Sequence, residues 1–117
     1  MRATIIITTY ERQKLLNERS LRSALNQIFK DYEIIVVDDC SITKIIVPKG
    51  IRLIRHKINK GLSAARNTGI KAAKGEYIVC LDDDNELEPK FLERTLKEIG
   101  NYDAIGVGRV IQYKELA

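Results

Sequence analysis

Cysteine is scarce in this sequence: Cys40 and Cys80 are the only two among 117 residues. They form no CxxC and no disulfide framework, and with the single histidine, His56, they make no convincing zinc site. Long apolar runs are missing as well. Thr4–Ile7 and Ile34–Val37 are typical, far short of the roughly 20 residues that a membrane-spanning helix needs. The N-terminus, Met1-Arg2-Ala3-Thr4-Ile5-Ile6-Ile7-Thr8-Thr9, reaches polar residues too soon for a signal peptide. From these absences we expect one domain, residues 1–117, in a reducing, cytoplasmic compartment, with no transmembrane segment. No Phe, Tyr or Trp stands between Tyr32 and Tyr77, and no zinc-finger or RNP-like pattern occurs, which argues against a nucleic-acid partner. Neither GxGxxG nor GxxxxGK[ST] is present, so a dinucleotide fingerprint and a Walker loop are both excluded. No serine or cysteine has an evident base partner for nucleophilic catalysis.

What is present is an ordinary globular mixture, 44% hydrophobic and 31% charged, with its charge segregated. From Cys40 to Gly75 there is no Asp or Glu but nine bases; from Glu76 to Asp103 nine acids face only Lys90, Arg94 and Lys97. Most such side chains are solvated surface, yet a basic stretch attracts phosphate groups and an acidic one attracts a metal ion. Apolar patterning alternates between short β-branched runs and helical periods. Ala3–Thr8, Glu33–Asp38, Ile51–His56 and Tyr77–Leu81 read as buried parallel strands. A helix is expected from Gln13 to Phe29, with Leu21, Ala24, Leu25 and Ile28 on its inner face. A second, Leu62 to Lys74, has an inner face of small residues: Ala65, Gly69, Ala72 and Ala73. Pro89 suits a first helical position ahead of Leu92, Leu96 and Ile99. Ser41–Gly50 is barely long enough for a crossover and admits at most a short helix before Pro48. A last strand is expected from Asp103 through Ala104–Val107. The pattern predicts an α/β three-layer sandwich around a mostly parallel twisted sheet.

In such a sheet the C-terminal strand ends share one edge, where ligands bind. Thr8-Thr9-Tyr10-Glu11, Asp38-Asp39-Cys40-Ser41, Lys57 to Gly61 and Asp82-Asp83-Asp84-Asn85 all converge there. If Asp82 to Asp84 continue the strand, residues i and i+2 point the same way, so Asp82 and Asp84 face one cation and Asp83 faces elsewhere. Hard oxygen ligands suit Mg²⁺ or Mn²⁺. An isolated acidic triplet is more often a turn leading into a helix; beside a basic segment at a convergent edge, the metal reading gains. Asp38-Asp39 is either a plain turn or a pair from which one carboxylate binds a ribose or base edge. Asn59-Lys60-Gly61-Leu62-Ser63-Ala64-Ala65-Arg66-Asn67 opens a helix whose N-terminus favours an anion, within reach of Arg66, or is ordinary capping. His56 reads as a strand-end residue without chemistry.

The succession Ile5-Ile6-Ile7-Thr8-Thr9-Tyr10, Tyr32-Glu33-Ile34-Ile35-Val36-Val37-Asp38-Asp39-Cys40-Ser41, Asn59-Lys60-Gly61-Leu62-Ser63-Ala64-Ala65-Arg66-Asn67-Thr68-Gly69 with Lys74-Gly75-Glu76-Tyr77-Ile78, and Leu81-Asp82-Asp83-Asp84-Asn85 resembles glycosyltransferase family 2 across nearly the whole chain. The resemblance implies the N-terminal, nucleotide-sugar-binding half of a truncated GT-A (Rossmann-like) fold. It implies a nucleotide-diphospho-sugar donor at Thr8, Thr9, Tyr10, Glu11, Asp39, Asn59, Gly61, Arg66, Asp82 and Asp83. Mn²⁺ or Mg²⁺ would sit at Asp82 and Asp84, and transfer to a saccharide, lipid or protein acceptor would proceed with inversion. Two positions depart from the family pattern: Glu11 stands where Asn is usual and Cys40 where Gly is usual, which raises the expectation of a different turn at residue 40. Nothing after Asp84 matches a catalytic base. The alternatives are a non-catalytic nucleotide-binding or partner domain associating through the end segment Ala104–Ile111, and a receiver-type phosphoacceptor. Arg55-His56-Lys57 at the end of the third strand argues against the receiver.

Overall fold

The computed structural model describes residues 1–99. The strand expected from Asp103 and the end segment Ala104–Ile111 lie outside the described residues. The isoleucine and valine runs Ile5–Ile7 and Ile34–Val37 form strands here because both faces are covered, whereas Arg52–Arg55 has no buried residue and Tyr77–Asp82 only Leu81, so these two are not the buried strands expected. All seven residues of β1 (Ala3–Thr9) are buried. Strand periodicity divides each run between two cores. Ile5, Ile7, Ile34 and Val36 join one cluster, and Ile6, Ile35 and Val37 the other. β1 pairs in parallel with β2 (Tyr32–Asp38) on one side and with β4 (Tyr77–Asp82) on the other. β3 (Arg52–Arg55) pairs in parallel with β2. The order β3-β2-β1-β4 differs from the 2-1-3-4-5 order of receiver domains, so the receiver alternative fails on topology. Chain direction across the sheet reverses between β1 and β4, the switch point at which such sheets bind ligands.

The first helical segment is not the continuous Gln13 to Phe29 helix expected. It comprises α1 (Gln13–Leu15), a π-helical stretch (Leu16–Ser20) and α2 (Leu21–Leu25). The Leu21 N–H donates to the Leu16 carbonyl, an i→i−5 bond that brings Leu16 and Leu21 onto the same buried face. The helix stops at Leu25, leaving Leu25 and Ile28 exposed rather than inward. Gln27 turns into the protein instead. Its amide donates to the Ser23 and Glu88 carbonyls, and its Oε1 accepts the Leu92 N–H at 3.0 Å. That last bond satisfies an N–H in the first turn of α4 (Phe91–Ile99), whose Leu92 and Ile99 are buried as the spacing predicts. Pro89 lies in the turn just before α4 rather than at its first position.

On the opposite face, α3 (Leu62–Ala72) packs through Ala65 and Gly69. A methyl group at Gly69 would run into the Ile6 side chain, so the small-residue face does bring this helix close to the sheet. The connection from β2 to β3 contains no helix; Ile45 anchors it in the core, and the Gln13 amide brackets Ile46 by donating to its carbonyl at 2.9 Å and accepting its N–H at 2.7 Å. At the far edge of the sheet, Glu33 accepts hydrogen bonds from the Thr4 hydroxyl (2.7 Å), the Lys74 N–H (2.6 Å) and Arg52 (3.0 Å). Burial raises its carboxyl pKa, but these donors together outweigh that and hold it below its ordinary value. Gly75 lies against this cluster, donating its N–H to Thr4 Oγ1.

A methyl group at Gly75 would collide with the Ala3–Thr4 backbone, which cannot rotate away as a side chain can. Gly75→Ala should therefore lower unfolding free energy by about 2–3 kcal/mol, measured by denaturant titration. A loss below about 0.5 kcal/mol would mean that the β1–β4 seam has slack there.

Candidate functional site

An open cleft of about 430 Å³ lies at the C-terminal strand edge, lined by Thr8, Thr9, Tyr10, Arg12, Asp39, Asn59, Gly61, Leu62, Ala65, Asp82, Asp83 and Asp84. Its floor begins at the end of β2, where Asp38 and Asp39 are adjacent and both buried. Two neighbouring carboxylates out of water repel one another unless each has its own donors. Asp38 accepts bonds from the Ser41 N–H (3.0 Å), the Ser41 hydroxyl (2.6 Å) and Arg55 (2.7 Å). Asp39 accepts from His56 Nδ1 (2.7 Å), the Lys60 N–H (2.9 Å) and the Gly61 N–H (2.8 Å). Burial alone would raise the Asp39 pKa; the Lys60 N–H, His56 and the Gly61 N–H outweigh it and hold the carboxyl below its ordinary range. Sequence reasoning gave His56 no role, yet the structure buries it against a cleft residue. The missed signal is register: Asp38 pairs with Arg55, so Asp39 falls beside His56.

The Asp39 carboxylate also shapes the next wall. It takes the two N–H groups that precede α3, and Gly61, at φ +94°, turns the chain into the helix. The Asn59 amide donates to the Asp39 carbonyl at 3.2 Å. α3 has no side-chain cap, so the N–H groups of its first turn stay available beside the cleft.

The acidic wall differs from the alternating arrangement expected. β4 ends at Asp82, and Asp83 and Asp84 form a turn closed by the Asn85 N–H donating to the Asp82 carbonyl at 3.1 Å. Strand alternation therefore does not govern them. Asp83 turns inward, 6% exposed, and accepts the Thr9 hydroxyl at 2.9 Å. Burial and then the charges of Asp84 and Asp82 raise its pKa, against the opposing pull of Thr9 and Arg12. Asp84 faces solvent. Arg12, which sequence reasoning passed over, reaches Asp83 at 3.3 Å and Asp84 at 3.6 Å. Asp82 pairs with Arg66 at 3.1 Å.

Thr8, Thr9, Tyr10, Asp39, Asn59, Gly61, Asp82, Asp83 and Asp84 thus come together as expected, whereas Glu11 and Arg66 are not among the lining residues. The Glu11 carboxylate accepts the Ile42 N–H at 2.7 Å, tying down the loop behind the cleft. Arg66 Nε has no hydrogen-bond partner among the described residues. The two departures from the family pattern both sit at left-handed backbone, Glu11 at φ 58° and Cys40 at φ 69°. The side chain at residue 40 thus sits in the left-handed conformation that glycine adopts without strain.

A family model, Glycosyl transferase family 2, matches residues 4–116. Among curated relatives, the putative colanic acid biosynthesis glycosyl transferase WcaA of Escherichia coli is 39% identical over 98 residues, covering 76% of this chain and 34% of its own length. Among solved structures, the mannosyltransferase PcManGT of Pyrobaculum calidifontis, in complex with GDP-Man and Mn²⁺, superposes with a TM-score of 0.76 at 24% identity, over 86% of this chain and 33% of its own. TarS 1-349 of S. aureus, in complex with UDP-GlcNAc, gives 0.75 at 24% identity, over 92% and 37%. Both show the same GT-A fold. The chain spans about a third of the length of these proteins.

Cys40→Gly removes a left-handed side chain and should stabilise the protein by about 1 kcal/mol in denaturant titration, with unchanged structure. Asp39, with its lowered pKa, contributes stability that is complete above the ordinary carboxylate value and is lost as pH falls through its folded value. The stability gap between wild type and Asp39→Asn should therefore narrow as pH falls below about 4. Asp83, with its raised pKa, has the opposite sign: relative to Asp83→Asn, wild type should lose stability as pH rises through the carboxylate range. Parallel pH profiles for the two variants would contradict this reading.

Proposed function

Because this chain belongs to glycosyl transferase family 2, we propose that it is the donor-binding half of an inverting, metal-assisted sugar transferase, taking a nucleotide-diphospho-sugar at its cleft. The observation that carries the reading is the convergence of Asp39, the N-terminus of α3 and the Asp82–Asp84 turn on one cleft at the switch point. Neutral sugars would not need so many carboxylates together with free helix N–H groups; a diphosphate with its counter-cation would use both.

In this reading Thr8 and Tyr10 border the base, and Asp39 offers an acceptor to base or ribose. Asp83, held by Thr9, and Asp82 lie beside ribose and sugar. Arg66, whose Nε has no partner among the described residues, supports the nucleotide through Asp82. The donor set suits Mn²⁺ or Mg²⁺. Asp84 is exposed and Asp82 half-buried, and the two carboxylates are hard oxygen ligands. Such a sparse set leaves coordination positions for diphosphate oxygens. When bound, the cation supplies charge neutralisation to the departing nucleoside diphosphate. The chain's own part is to orient the donor: Thr9 fixes Asp83, and Asp39 fixes the loop before α3. The acceptor hydroxyl would attack the anomeric carbon from the face opposite the nucleotide, losing its proton to a carboxylate base; no residue of this chain is assigned that part. The acceptor is a saccharide, lipid or protein hydroxyl.

Calorimetric titration of UDP and GDP, with and without Mn²⁺, tests the reading. One of the two should bind in a Mn²⁺-dependent manner. Asp84→Ala, an exposed substitution that spares the fold, should weaken that binding by at least the roughly tenfold that loss of an outer-sphere partner costs a metal site. Unchanged affinity in this variant would remove the metal assignment, and a folded wild type that binds neither nucleotide would remove the donor assignment.

A further inference from the structure

His56 is the single histidine of the chain and is 6% exposed, with both ring nitrogens engaged. Nδ1 lies 2.7 Å from Asp39 Oδ1, and Nε2 lies 2.7 Å from the Thr68 hydroxyl on α3. An ionised carboxylate only accepts, so Nδ1 carries the proton of that bond. The Thr68 hydroxyl also lies 3.0 Å from the Ala64 carbonyl, so by turning it can meet Nε2 as donor or as acceptor. Thr68, His56 and Asp39 thus form a chain from the body of α3 to the cleft.

The chain of bonds determines what Asp39 has left to offer. Oδ1 accepts both His56 and the Lys60 N–H, which fills its two lone pairs. Oδ2 accepts the Gly61 N–H and, among the described residues, keeps one lone pair. We propose that His56 is a positioning residue for the donor cleft: by locking Oδ1 it leaves Asp39 a single acceptor position, on Oδ2, for one N–H or O–H of the nucleoside. This rests on the reading of the cleft as a nucleotide-sugar site. Without His56 the carboxylate can exchange its oxygens among the loop N–H groups, and the acceptor position loses its definition.

The test compares wild type, His56→Leu, His56→Asn, whose amide N–H can stand in for Nδ1–H, and Thr68→Val. Each is titrated by calorimetry with whichever of UDP or GDP wild type binds, and with pyrophosphate, both in Mn²⁺. His56→Leu should weaken nucleotide binding about tenfold, as expected for losing one charge-assisted hydrogen bond at a recognition group. His56→Asn should recover most of that loss, and Thr68→Val should show a smaller loss in the same direction. Pyrophosphate, which carries no nucleoside for Asp39 to meet, should bind all the variants alike. In wild type labelled with ¹⁵N-histidine, the one ring N–H signal set should shift on nucleotide addition and stay put with pyrophosphate.

Equal loss of nucleotide and pyrophosphate binding would make His56 merely structural and overturn the proposal, as would nucleotide affinity unchanged in His56→Leu. If His56→Leu does not fold, His56→Asn and Thr68→Val decide by the same ratio of the two affinities. A wild type that binds neither UDP nor GDP fails the donor reading itself, and this proposal with it; a wild type that binds, with no nucleotide-selective effect in any variant, fails this proposal alone.

Discussion

Two adjacent carboxylates at the end of β2 must both be satisfied out of water, and much of the site follows from how this is done. Asp38 and Asp39 diverge, and each receives three donors. Those of Asp38 come from Ser41 and β3, and fix the loop leaving β2. Those of Asp39 come from His56 and the chain entering α3, and fix the wall facing it. Loss of one partner from such a pair leaves an uncompensated buried charge, a cost of roughly 3–5 kcal/mol. Part of the basic middle of the sequence finds its explanation here. Arg55 and Arg52 neutralise Asp38 and Glu33 inside the fold rather than waiting for a ligand.

The opposite wall obeys a different economy. Asp82, Asp83 and Asp84 are consecutive, and Arg66 and Arg12 share out their charge. Burial decides their roles. Asp83 is enclosed and tied to Thr9, whereas Asp84 is left toward solvent beside Arg12. An exposed pair such as Arg12–Asp84 contributes about 0–1 kcal/mol and is easily given up. One carboxylate of this wall is thus enclosed and another is open to solvent. That division is what a site needs if its charge partner arrives with the ligand.

Much of this architecture is legible from pattern alone. Ile5 to Ile7 and Ile34 to Val37, apolar without alternation, specify strands covered on both faces, and the small inner face of Leu62 to Lys74 specifies a close helix. Their alternation with helical periods specifies a parallel sheet, and with it the edge where Asp39, Gly61 and Asp82 meet. Helix detail was less legible. Periodicity of 3.6 residues cannot anticipate a π-helical turn, which places Leu16 and Leu21 together at a spacing of five. Nor does it reveal that Gln27 leaves the helix to cap α4, since its partner Leu92 lies 65 residues away.

The sequence by itself determined the order of strands and helices, the chemical nature of the cleft and most of the residues around it. Local hydrophobic period and the polar residues at strand ends are properties of neighbours along the chain. Only the tertiary structure decided which way each polar group turns. It ended β4 at Asp82, so that Asp83 rather than an alternating partner was buried; it brought Arg12 to the acidic turn; and it made His56 the support of Asp39. The burial of Asp83, the reach of Arg12 and the role of His56 depend on contacts between residues 17 to 74 positions apart, where burial and charge pairing outweigh any local preference.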